Sequence, residues 1–133
     1  MEEPDGNPLE KNQKLKHSKE TPFHTSIYRL RNDVFAIAHL HPPFATALSL
    51  KDKPFPILTA PGMVNLVKVP LVEFAFMGTK ELCNFVTETV KQNMEAKAYL
   101  LKGHGIIAIG SDPASAYYTA DLVEDCAKVA LFS

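Results

Sequence analysis

The spacing of apolar residues along the chain changes several times, and each change predicts a new element. Apolar positions recur at helical spacing over residues 21–31, after the cap-like pair Thr21-Pro22, and predict an amphipathic helix. Residues 34–39 are short, apolar and partly β-branched, which is typical of a buried strand. Pro42 and Pro43 end that strand, and residues 44–50 predict a short helix.

The second half of the chain repeats this interleaving. Residues 51–72 contain four prolines, which predict loops with short strands near 57–58 and 66–69. A helix begins after Gly78-Thr79, and strands are expected at 98–102 and 106–109. A final helix begins at Pro113 after a cap at Ser111 or Asp112. One apolar face is expected on the helix after Thr79, formed by Leu82, Phe85, Val86 and Val90.

Composition then narrows the class of protein. The chain has 133 residues, 46% of them apolar, which is enough for one domain with a core. With 14 Lys and Arg against 15 Asp and Glu, it lacks the basic excess of a nucleic-acid binder. No apolar run approaches the roughly 20 residues of a membrane helix, and residues 1–20 do not have the pattern of a secretory signal.

Location and domain organisation follow from the same composition. Cys83 and Cys126 form no CxxC motif and are interpreted as reduced, buried thiols of a cytoplasmic protein, with a disulfide between them as the alternative. Residues 1–19 are charged and poor in apolar side chains, so we expect a polar arm in front of a single domain spanning 1–133.

Three histidines stand where strands end or turn. His39 and His41 are two residues apart at the end of a predicted strand, so their side chains point to the same side. His104 lies between Gly103 and Gly105, at a turn where another element can approach closely. Three imidazoles are a ligand set that zinc accepts. The alternative is structural: one hydrogen-bonded and one exposed histidine at a strand end, and a loop histidine.

Glu20 is the candidate acid or base. It directly precedes the first predicted helix, and a carboxylate beside a divalent metal can ligate it or move a proton. A glutamate at this position also complements a helix dipole without any chemical role. His24, four residues later, is interpreted as a structural residue of the helix.

In combination, these motifs resemble the class II aldolase/adducin family, whose enzymes include fuculose-phosphate aldolase and ribulose-phosphate 4-epimerase. The resemblance covers about residues 3–133. It is carried by Ser-Lys-Glu-Thr-Pro-Phe-His at 18–24, His-Leu-His at 39–41, Gly-Thr-Lys-Glu-Leu at 78–82 and Leu-Leu-Lys-Gly-His-Gly at 100–105.

The resemblance implies a fold and a site. The fold would be α/β in three layers, with a central, mostly antiparallel sheet flanked by helices. His39, His41 and His104 would be ligands of zinc, or of another divalent transition metal, and Glu20 would be the catalytic acid/base. Ser18 and Lys19 would bind substrate.

The resemblance also implies an activity: cleavage of a small phosphorylated sugar by a zinc-dependent aldolase-type lyase, through a metal-stabilised enediolate. A homotetramer with sites at subunit interfaces is expected. The family's epimerases carry aspartate where Glu20 stands, so the aldolases are the nearer match. The sequence begins after the segment whose loops hold phosphate in the family, so we expect an N-terminally shortened domain with weak activity. The alternatives are an epimerase, decarboxylase or dehydratase with the same metal site, and a non-catalytic adducin-like interaction domain.

Overall fold

Helices and strands interleave along residues 21–133, the part of the chain that the computed structural model describes. Glu20, Lys19, Ser18 and the predicted polar arm therefore lie outside the described residues. The elements in chain order are α1 (Thr21–Leu30), β1 (Ala36–Leu40), α2 (Pro43–Ser49), α3 (Ala60–Asn65), β2 (Leu71–Val72), α4 (Lys80–Gln92), β3 (Ala98–Leu101), β4 (Gly105–Gly110) and α5 (Pro113–Phe132).

The strands form one four-stranded sheet in the order β1-β4-β3-β2. Strand β4 pairs antiparallel with both β1 and β3, while the short edge strand β2 pairs parallel with β3. The prediction of an α/β fold around a mostly antiparallel sheet is therefore confirmed.

Each face of the sheet carries its own apolar cluster. Successive side chains of a strand point to opposite faces, and β4 shows this alternation directly. Ile107 and Ile109 pack with residues of α1 and α4, whereas Ile106 and Ala108 pack with residues of α5. Because both faces are covered, β4 is apolar throughout rather than alternating with polar residues, and the sheet lies between two helical layers.

A buried guanidinium fixes the end of α1 against β3. Arg31 is 4% exposed; it binds both carboxylate oxygens of Asp33 and donates to the Tyr99 hydroxyl and the Ala96 carbonyl. Its hydrogen bonds hold the pKa of Asp33 below the usual range, and burial raises the pKa of Tyr99. These contacts join α1, the 93–96 turn and β3.

Helix starts follow the predicted signals closely. Thr79 caps α4 by accepting from the Leu82 amide, and Asp112 caps α5 in a capping box with Ser115. The predicted inner face of α4 is confirmed for Leu82, Val86 and Val90, which are buried. Phe85 departs from it, since it is 38% exposed.

The predicted strands near 57–58 and 66–69 are wrong. Neither segment forms a strand; helix α3 forms between them, because Thr59 accepts from the Gly62 amide as a cap and Pro61 suits the first turn. Val67 then adopts a φ of +65°, which no extended strand contains. The strand in this region is β2, directly after Pro70. Within residues 21–133 no helix is both long and apolar enough to cross a membrane.

Candidate metal centre

The register of β1 on β4 brings the three predicted histidines together. Leu40 pairs with Ile106 and His39 with Ile107, so the end of β1 lies beside the turn that carries His104. One ligating atom from each of His39, His41 and His104 lies within 4.8 Å of the other two. The ring of His41 stacks on that of His104 with centroids 5.0 Å apart, and His39 stands nearly perpendicular to both.

Hydrogen bonding orients the central ring. His39 Nδ1 lies 3.1 Å from the carbonyl oxygen of Ile106. Because a carbonyl only accepts, this contact places the ring proton on Nδ1 and makes Nε2 the nitrogen that carries the lone pair. His39 Nε2 lies 3.2 Å from Nε2 of His104. This distance is close to the roughly 3.3 Å that separates two nitrogens bound tetrahedrally to zinc at about 2.0–2.1 Å.

The donor set therefore fits a divalent transition metal. Three imidazoles and an open position are typical of catalytic zinc sites. His41 is exposed, while His39 and His104 are half-buried, so the cluster faces solvent on one side. The hydrogen bond of His39 and the exposure of His41 agree with the structural interpretation of these histidines. They agree equally with the metal-ligand interpretation, since a ligating histidine is oriented by a hydrogen bond from its other ring nitrogen.

Gly105 makes the close approach of the two ligand segments possible. A Cβ at this position would lie 2.2 Å from the Leu40 carbonyl oxygen and 3.1 Å from Cδ2 of His41. Real Cβ atoms do not approach backbone oxygen so closely, so only glycine fits between β4 and the end of β1.

Glu124 of α5 holds the helix that follows the His-Leu-His segment. Its two carboxylate oxygens accept from the amides of Phe44 and Ala45, at 3.0 and 2.8 Å. Helix α2 begins after Pro42, which offers no side-chain cap, so the carboxylate satisfies amides that would otherwise lack partners. Sequence reasoning missed this role. The available signal was a helix start with no capping side chain of its own.

An aromatic wall borders the histidines. A cleft of about 380 Å³ is lined by His41, His104 and Gly103 together with Phe74, Phe76 and Met77. Phe74 and Phe76 contact each other edge to face with centroids 5.1 Å apart, and they are 48% and 73% exposed. Sequence reasoning did not single out these phenylalanines, because the irregular segment that carries them shows no periodicity.

The predicted site residues divide into two groups. His39, His41 and His104 are brought together as predicted. Ser18, Lys19 and Glu20 lie outside the described residues. His24 lies on α1 with its ring centroid 6.2 Å from that of His39 and 4.9 Å from that of Phe23; among the described residues it is not part of the metal-competent group.

Fold and site together define an α/β domain whose sheet ends in a three-histidine centre able to hold a metal ion. The model of the Class II Aldolase and Adducin N-terminal domain matches residues 1–131. The chain belongs to this family.

Individual relatives agree with that assignment. The L-fuculose phosphate aldolase of Methanocaldococcus jannaschii is 34% identical over 129 residues, which are 97% of this chain and 66% of the relative. A crystal structure of L-fuculose-1-phosphate aldolase from Thermus thermophilus superposes with a TM-score of 0.73 at 29% identity, covering 85% of this chain and 60% of that one. For a sugar-phosphate aldolase from Thermotoga maritima the values are 0.72 and 26%, with 85% and 52% covered. The chain thus spans about half to two thirds of these relatives.

Replacing Gly105 by alanine tests the close approach of β1 and β4. We expect Gly105→Ala to lower the free energy of unfolding by about 1–3 kcal/mol, as overpacking does, and to shift the NMR resonances of the His39 and His41 rings. Gly78→Ala is the control: Gly78 has a positive φ, +85°, so alanine there also costs stability through backbone strain, but the residue lies outside the histidine cluster and the ring resonances should not shift. Parental stability and unchanged histidine resonances in Gly105→Ala would contradict the close approach of β1 and β4 at Gly105.

Proposed function

We propose that this chain is the metal-binding domain of a zinc-dependent aldolase-type lyase that cleaves a small phosphorylated sugar. The observation that carries the proposal is the convergence of His39, His41 and His104 beside an open cleft. The names of the relatives support the reaction type and the substrate class. The cleft, at about 380 Å³, has room for a small sugar.

The three histidines would bind the metal ion that the proposed reaction needs. His39, His41 and His104 would hold the ion, with His39 oriented by the Ile106 carbonyl. A bound divalent ion would supply Lewis-acid polarisation of substrate oxygens. Neutral imidazoles preserve the full charge of the ion for that purpose. Zinc is the proposed metal because the ligand set is all nitrogen with an open position.

Glu20 is the proposed proton carrier, and Ser18 and Lys19 the proposed substrate-binding residues. Glu20 directly precedes Thr21, the first residue of α1. In the same first turn, the ring centroid of Phe23 lies 5.6 Å from that of His39. The adjacency of Glu20 in sequence to a turn that touches the histidine cluster supports its assignment.

Related reactions remain alternatives to cleavage. An epimerase, decarboxylase or dehydratase would use the same histidines, and product analysis with phosphorylated ketoses and aldonates distinguishes them. A non-catalytic adducin-like interaction domain is the less supported alternative, because such a domain does not need three converging imidazoles. The two free thiols, Cys83 and Cys126, suit the proposed cytoplasmic location.

A homotetramer with sites at subunit interfaces is the proposed assembly. Large apolar side chains are exposed on and around α3, with Met63 at 59%, Val64 at 77% and Val67 at 63% exposure. Several large exposed apolar side chains within one short segment are typical of an interface, and the proposed occupant is a second copy of the chain.

Charge placed on α3 tests the assembly. We expect light scattering to give a tetramer for the parent and smaller species for Val64→Asp, because an unpaired carboxylate in an apolar interface is costly. Lys80→Asp on the exposed side of α4 is the control and should keep the parental mass. A parent that is monomeric across a wide concentration range would contradict the proposal.

Removal of one imidazole tests the metal centre. The parent should bind one zinc ion per chain, and His41→Ala should lower metal occupancy sharply, because two ligands hold the ion much less firmly than three. His17→Ala is the control, since this histidine belongs to the predicted polar arm. Elemental analysis of dialysed protein gives the zinc occupancy. Undiminished zinc in His41→Ala would contradict the assignment of His41 as a metal ligand.

Glu20→Gln tests the proton carrier separately from the metal. The variant should keep zinc, since the three imidazoles remain, but slow hydrogen–deuterium exchange next to the carbonyl of dihydroxyacetone phosphate by about 10²–10⁴-fold. Glu81→Gln, in the first turn of α4, is the matched control. Exchange at the parental rate in a zinc-loaded Glu20→Gln variant would show that another group moves the proton.

A further inference from the structure

Ser49, the last residue of α2, connects that helix to the turn that carries His104. Its side chain is buried, with the residue 1% exposed. The Ser49 hydroxyl donates to the Thr46 carbonyl at 2.6 Å and accepts from the Gly103 amide at 2.8 Å. Because its one proton is used on Thr46, a lone pair of the hydroxyl faces the amide of Gly103.

The hydrogen bond between Ser49 and the Gly103 amide favours one geometry of the turn at residues 101–104. The His104 amide donates to the Leu101 carbonyl at 2.9 Å, which makes Lys102 and Gly103 the central residues. Gly103 has a φ of +68°, while Lys102 is not among the residues with positive φ, as in a type II turn. Types I and II differ by a half rotation of the central peptide, whose amide is the one bound by Ser49.

The orientation of that peptide bears directly on His104, the next residue. The His104 ring stacks on His41 at an interplanar angle of 7° and presents Nε2 to Nε2 of His39. A flipped peptide would redirect the backbone immediately before this ring. We propose that Ser49 is a positioning residue for the metal centre, which holds His104 in its ligating position; this inference rests on the proposed function.

Helix α2 thereby links the two ligand segments. At its start Glu124 fixes the amides directly after the His-Leu-His segment, and at its end Ser49 fixes the turn. The neighbouring ion pair between Lys102 and Asp52, at 2.8 Å, is a weaker determinant, because the Asp52 side chain is 78% exposed and exposed ion pairs contribute little.

Metal affinity of the full chain tests this role without measuring turnover. Co²⁺ and Zn²⁺ affinities are measured by the cobalt absorption band and by zinc competition for Ser49→Ala, which leaves the Gly103 amide without its acceptor. We expect affinity to fall about 10- to 100-fold, the range for residues that orient ligands, with the three histidines intact. Ser49→Cys keeps a similar volume with a much weaker acceptor and answers the same question should Ser49→Ala not fold.

Tyr99→Phe is the control for a general loss of stability. It removes the hydrogen bonds that the Tyr99 hydroxyl donates to the Asn93 carbonyl and accepts from Arg31, on the other face of the sheet from α2, and should leave metal affinity within about twofold. Folded Ser49→Ala and Ser49→Cys with parental affinity would overturn the inference while leaving the metal centre in place. A parent without metal affinity would instead overturn the proposed function, and this inference with it.

Discussion

The antiparallel pairing of β1 with β4 is the constraint on which the site depends. It runs in the one register that sets His39 opposite Ile107, and a slip by one residue would turn His39 to the other face of the sheet. Gly105 permits that register, since any side chain there would strike the Leu40 carbonyl. A backbone contact, rather than an attraction between the histidines, therefore brings the three rings together.

Apolar burial and polar contacts make separate contributions around this pairing. The helical layers on both faces of the sheet bury β4 and supply most of the driving force for folding. Burial is not directional, so it does not decide where a ring nitrogen points. The direction comes from polar contacts: the Ile106 carbonyl on His39, Glu124 at the start of α2 and Ser49 at its end.

Local signals predicted most of the elements and the histidine group. His39 and His41 are one strand repeat apart, and glycines on both sides of His104 indicated a close approach. Contacts between distant segments left no such signal. The acceptor of the Gly103 amide is 54 residues away in Ser49, and Phe74 and Phe76 reach the cleft from an irregular segment. In the proline-rich region, the cap at Thr59 and the positive φ of Val67 outweighed the apolar pattern that predicted strands.

The central claim is that His39, His41 and His104 form one metal centre at the end of the sheet. X-ray absorption at the zinc edge, on the full chain loaded with one equivalent of zinc, tests it most directly. The expected first shell contains three imidazole nitrogens at about 2.0–2.1 Å completed by oxygen. A sulfur scatterer at about 2.3 Å, or a shell of oxygen alone, would contradict it.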